Sequence, residues 1–198
     1  MFQNFSFEGY NVVHIDWILP LENETLQNYA LRISENIKDE NAILIGLSFG
    51  GILSVEISKI KKFKKVFLLS SAKTKFEIPF YYRVLGKLNL LKIIPNSILK
   101  SVNFLTYLVF GAKTNAEKSL LEDIVRNTDE RFLKWALHQI MNWKNEDYSK
   151  NIIHVQGDSD LILPHVFVKY DYLIKGGTHF MTLNQSKEIE TIIIENLL

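Results

Sequence analysis

The chain has 198 residues, 47% apolar and 23% charged, with a formal net charge of +1. Those values fit one soluble globular domain with its own core, and near-neutrality leaves no clustered basic footprint for nucleic acid or an anionic membrane. With no cysteine, neither a disulfide framework nor a thiolate metal site is available.

In chain order, Met1 to Tyr10 is aromatic and polar and lacks the basic-then-apolar order of a signal peptide. The run Val12-Val13-His14-Ile15 reads as a first strand. From Asn23 to Lys38, Leu26, Tyr29, Ala30, Ile33 and Ile37 recur at helical spacing with polar residues between them. Ala42 to Leu47 is the next strand, Gly50 to Ile60 has room for a helix, and Lys65 to Leu69 is a third strand. The lysines at 59, 61, 62, 64 and 65 read as a solvated helix end and turn. These strands are nearly continuous apolar runs rather than alternating ones, as expected where a parallel sheet is covered on both faces. Their alternation with helices predicts right-handed crossovers in a doubly wound α/β sheet.

From Lys73 to Lys150 no strand-like run occurs. Pro95 opens an expected helix that Gly111 closes. Thr114 with Glu117 forms a capping box for the next, ending near Asn127, and a third spans Asp129 to Trp143. The strands Ile152 to Val155 and Asp171 to Ile174 then bring the total to about five. A last helix runs from Gln185 to Leu198, capped by Asn184. Residues 1–72 and 151–198 thus form a core, and 73–150 a helical insertion read as a lid. The longest apolar stretch, Val102 to Ala112, is broken by Asn103 and Thr106 and falls short of the ~20 residues that cross a bilayer. The expectation is a cytoplasmic protein without stable membrane insertion.

The strand ending at Leu47 runs into Gly46-Leu47-Ser48-Phe49-Gly50-Gly51, and a helix follows. This G-x-S-x-G pattern, in a strand–turn–helix setting, fits a nucleophile elbow. The sharp turn would hold Ser48 in a strained backbone conformation and crowd its neighbours, which asks for glycine at 46 and 50. A serine nucleophile needs a base and the base an orienter, which in folds with such an elbow follow it in the order acid, then histidine. Downstream lie Gly157-Asp158-Ser159-Asp160-Leu161-Ile162-Leu163-Pro164 and Gly176-Gly177-Thr178-His179-Phe180. Both follow strands, so both belong to the C-terminal edge where open α/β sheets bind ligands.

On these segments the chain resembles the α/β-hydrolase superfamily, of the lidded serine-esterase kind, over about 9–72 and 151–198. The resemblance implies Ser48 as nucleophile, Asp160 as acid with Asp158 as the competitor, and His179 as general base. It implies the amide of Phe49 as one oxyanion donor, and Trp17, Phe80 and Tyr81 as substrate-binding residues. The implied chemistry is hydrolysis of a small apolar ester or thioester through an acyl-enzyme, with no metal or organic cofactor. A lyase or acyltransferase using the same residues, or a non-catalytic binding protein, is the alternative. His14 and His154 read as packed strand residues, His138 as a surface residue, and Asp16 as structural. The family's glycine-rich oxyanion loop precedes the segment resembling Tyr10 to Pro20, and nothing of that kind lies before Tyr10. A fragment, or a chain begun at an internal methionine, is the favoured reading, because losing an internal strand strips backbone partners from both neighbours. A natural short form is the other.

Overall fold

A computed structural model describes residues 1–39 and 41–197. Its centre is a parallel sheet of four strands in the order β1-β2-β3-β4: Ile43–Leu47, Lys65–Leu69, Ile152–Gly157 and Tyr172–Ile174. Register runs Leu47 to Leu69, Leu69 to Val155 and Gly157 to Ile174, so all four C-terminal ends lie along one edge.

The pleat sends alternate side chains of the central strands to opposite faces. Val66, Leu68 and Ile152 join one cluster with α1 (Leu26–Ser34) and α2 (Phe49–Ile60). Phe67, Leu69, Ile153 and Val155 join another with Ile189 and Ile193 of the C-terminal helix α9 (Ser186–Glu195). Double coverage explains the apolar run of β2 and the full burial of β3, His154 and Gln156 included. Phe7 packs into the second cluster, and Glu190 holds the segment by accepting from the amides of Ser6 and Phe7 and the Ser6 hydroxyl.

The expected strand Val12–Ile15 does not form: Asn11 to Pro20 carries no ladder, and Val13 is 71% exposed. Among the described residues β1 is an edge of the sheet, and this segment does not pair with it. It is tethered by side chains instead, with Ile15 and Ile18 against the α1/α2 cluster and the Tyr29 hydroxyl bonded to the amide and carbonyl of Ile18. His14, expected in a strand core, is exposed.

Between β2 and β3 the described residues are helical: α3 (Phe80–Lys87), α4 (Asn96–Leu99), α5 (Phe104–Phe110), α6 (Asn115–Asn127) and α7 (Glu130–Met141). The single helix expected from Pro95 to Gly111 is two, because Asn103 caps a new one: its side chain accepts from the amides of Leu105 and Thr106. Gly111 closes α5 in the left-handed region at φ 76°. The Thr114–Glu117 capping box is present. At the C-terminus the chain forms a short turn, α8 (Met181–Asn184), before α9. Asn184 does not cap α9; its amide donates to Glu117, tying the sheet's last loop to α6. The basic cluster is locally engaged: Lys61 donates to the carbonyls of Ser34 and Ile37, and Lys64 to that of Leu197.

β3 buries one ionisable group. Burial, and then the Lys73 ammonium, lower the His154 imidazole to about 4. Between that value and 6.5 the unfolded chain binds a proton that the native protein refuses, so stability falls as pH falls through this window. Denaturant titrations are expected to lose about 3 kcal/mol of unfolding free energy from this group between neutral pH and pH 4. In His154→Gln the slope in that window should flatten. An unchanged slope would rule the assignment out.

Candidate active site

Ser48 links β1 to α2 with φ 53° and ψ −121°, a conformation that costs a non-glycine residue about 1–3 kcal/mol. Its backbone is clamped on both sides. The amide donates to Leu69 O at 3.0 Å, and the carbonyl accepts from Ser71 Oγ at 2.7 Å and Gly51 N at 2.9 Å. A β-carbon on Gly46 would lie 2.3 Å from Gly50 O and 2.5 Å from Ser54 Oγ, so position 46 admits only glycine. At Gly50 the expectation fails: a β-carbon there would meet only Trp17, at 3.6 Å, an ordinary contact. The second crowded position is Gly51, whose β-carbon would lie 2.3 Å from Ser71 Oγ.

Of the two candidate carboxylates, Asp160 is the one bonded to His179, Oδ2 to Nδ1 at 2.8 Å, with both residues buried. Its other oxygen accepts from the amides of Ile162 and Leu163, each at 2.9 Å. Burial alone would raise the Asp160 carboxyl. The His179 imidazole and these hydrogen bonds outweigh it and hold the group below the usual carboxylate range. The stability this contributes is present above the ordinary carboxylate pKa and is lost only as pH falls through the lower folded value.

Asp158 has a different task. Its side chain accepts from Gly176 N at 2.7 Å and from the Ser159 hydroxyl. Asp158 N donates to Ile174 O and Ser159 N to Gly177 O, so the loops after β3 and β4 are stitched together. Gly157 and Gly177 make that approach possible, since a β-carbon on Gly157 would lie 2.2 Å from Gly177 O.

Gln156 is a member of the site that motif reading missed. Its amide nitrogen donates to Asp160 Oδ2 at 3.3 Å and Leu163 O at 2.7 Å, and its oxygen faces His154 Nε2 at 3.2 Å. A glutamine beside His154 in a fully buried strand was the available signal. Gln156→Leu is expected to lower kcat about tenfold with KM little changed, and to cost about 1–3 kcal/mol of stability. Gln156→Glu should move the acidic limb of the pH–rate profile upward by setting a second carboxylate against Asp160. A profile identical to wild type in both would dismiss the role.

The helices between β2 and β3 frame this pair. The Phe110 ring meets His179 edge-on at 5.6 Å, and Gly111 lies so close to Thr178 that a β-carbon would fall 2.3 Å from it. Burial, followed by the Tyr81 and Asp160 charges, pushes the Tyr82 hydroxyl up to about 12. Trp17 stands beside the elbow, its ring 5.6 Å from Phe49 and 5.2 Å from Phe132. Phe80 and Tyr81 lie exposed on α3, Tyr81 edge-on to Phe167. Phe49 heads α2, where the first amides of a helix lack intrahelical partners. Asp160 and His179 are thus directly joined, while Ser48 shares their sheet edge from β1. Among the described residues no hydrogen bond connects the Ser48 hydroxyl to His179. His165 bonds the Asp158 carbonyl through Nδ1 at 3.0 Å, His138 is partly buried on α7, and Asp16 is exposed. Among the described residues no helix is long and apolar enough to cross a membrane.

No family model matches the sequence, and no curated protein does. The structure is similar to several solved ones. An esterase from Exiguobacterium antarcticum superposes with a TM-score of 0.64 at 14% identity, over 87% of this chain and 74% of that one. A bromoperoxidase from Bacillus anthracis gives 0.58 at 18% identity, over 90% and 76%. A putative alpha/beta hydrolase family protein from Desulfitobacterium hafniense gives 0.55 at 15%, over 88% and 77%. At such identities the likeness is one of fold.

Proposed function

Starting from an α/β-hydrolase fold, we propose that the chain is a serine hydrolase that cleaves a carboxylic ester or thioester, with Ser48, His179 and Asp160 as its catalytic residues. The single observation that carries this reading is the buried bond from His179 Nδ1 to Asp160, made on the sheet edge that also bears Ser48 in its strained turn. A carboxylate on Nδ1 fixes the tautomer that leaves Nε2 free to take a proton.

In the proposed reaction Ser48 Oγ adds to the substrate carbonyl while its proton passes to His179 Nε2. The imidazolium is stabilised by Asp160. The oxyanion develops against the Phe49 amide at the positive end of α2. Collapse expels the alcohol or thiol, which takes the proton from His179 and leaves Ser48 acylated. Water, deprotonated by the same imidazole, then releases the acid and restores the hydroxyl. Trp17, Phe80 and Tyr81 are assigned to the substrate side, and the helices from α3 to α7 to a lid over it. A non-catalytic binding protein is the second reading. It is favoured by the lack, among the described residues, of a hydrogen bond from the Ser48 hydroxyl to His179.

The test is covalent labelling with a fluorophosphonate. Folded wild-type protein is expected to be labelled and Ser48→Ala is not. Folded wild-type protein that stays unlabelled would favour the binding protein.

A further inference from the structure

From Ile78 to Ala116 the chain carries Arg83, Lys87, Lys92, Lys100 and Lys113 and no aspartate or glutamate. Five positive charges there, against +1 for the whole chain, leave the remainder at −4. Near-neutrality overall therefore hides one strongly basic segment.

The same segment turns many of its apolar side chains outward. On α3 the exposed residues are Phe80, Tyr81, Val84 and Leu85, with Leu88 at the C-cap. Those positions form one continuous stripe along a helix. The opposite side is the one that packs: Gly86 sits against Met141 of α7, too close for a β-carbon, and Tyr82 is partly buried. α5 repeats the arrangement, with Phe104, Leu105 and Leu108 exposed while Phe110 turns in to His179. Leu88 is 63% exposed and Phe104 76%. A surface helix of a soluble monomer ordinarily buries its apolar stripe, and outward ones mark a recognition surface.

We propose that the outward faces of α3 and α5 dock on an anionic lipid surface. Apolar side chains would enter the headgroup boundary, and cations would meet lipid phosphates, as in interfacial amphipathic helices. Lys87 ends α3 and Lys113 follows α5, both exposed, so a cation flanks each stripe. The first carboxylates beyond the segment are already engaged, Glu117 in the α6 cap and with Asn184, and Glu122 with the Tyr107 hydroxyl. A second copy fits less well, because a symmetric contact would set one basic segment against another. Phe110 of α5 meets the His179 ring, so the docked face borders the candidate site. That last placement rests on the function proposed above; the docking does not.

The experiment is co-sedimentation of the full chain with phosphatidylglycerol-containing vesicles and with pure phosphatidylcholine vesicles. Partitioning is expected to favour the anionic vesicles by about tenfold or more and to weaken with added salt. Leu88→Ser with Phe104→Ser, and separately Lys87→Glu with Lys113→Glu, should each reduce it about tenfold, with far-UV circular dichroism unchanged. Absent binding, or equal binding to both vesicles, would overturn the proposal. So would a lipid-free dimer that Leu88→Ser with Phe104→Ser converts to monomer. Vesicle binding by a protein that fluorophosphonate fails to label would sink the hydrolase and leave the docking intact.

Discussion

Asp160→Asn is expected to lower turnover of a chromogenic ester about 10⁴-fold, and Ser48→Ala about 10⁶-fold, while Asp158→Asn keeps most of it. The asymmetry follows from the hydrogen bonds. Asp160 meets His179 Nδ1 directly and is fixed by the amides of Ile162 and Leu163. An asparagine there can turn its NH₂ toward the ring and impose the wrong tautomer. Asp158 instead spans to Gly176 N, so its loss should appear as a modest thermal destabilisation. Kinetics of the three variants, read beside their circular dichroism, decide the matter. Equal losses at Asp160 and Asp158, or a Ser48→Ala protein of undiminished activity, would refute the assignment.

The largest stability effect is expected at Gly46. Gly46→Ala places a methyl group 2.3 Å from the Gly50 carbonyl oxygen, and neither partner is the end of a flexible side chain. One belongs to the strand and the other to the first turn of α2, so relief requires moving the helix off the sheet. A cost of at least about 3 kcal/mol follows, a drop in Tm of roughly 6–12 °C for a chain of this size. Gly50→Ala is the control, because the two motif glycines look equivalent in sequence. Only Trp17 lies near it, and alanine favours helix, so its stability should be unchanged or higher. Thermal melts of the pair give the answer, and equal losses would contradict the packing described.

What could be read from the sequence was whatever local chemistry dictates. Thr114 and Glu117 announce a helix start because two backbone donors must be satisfied there, and the box is in place. The strands read at Ala42–Leu47 and Ile152–Val155 stood out because a doubly covered sheet favours nearly continuous apolar runs. Val12–Ile15 looked the same by composition and is not a strand, since pairing depends on a neighbour that side chains cannot announce. The single helix expected from Pro95 to Gly111 ran through Asn103, whose side chain caps a new one. The motif placed Ser48, Asp160 and His179 on one sheet edge. Gln156 and the Gly157–Gly177 approach belong to contacts between segments, and no spacing rule reaches across them.

The stitching of the β3 and β4 loops by Asp158 has a mechanical consequence. Three hydrogen bonds and a glycine-to-glycine contact make the acid and the imidazole passengers on one stiff platform. Ser48 is fastened instead to β2, through Leu69 and Ser71, and reaches the platform only across the β2–β3 ladder. The amides of Ser159 and Gly176 should accordingly exchange with solvent together, at a rate distinct from that of the Ser48 amide.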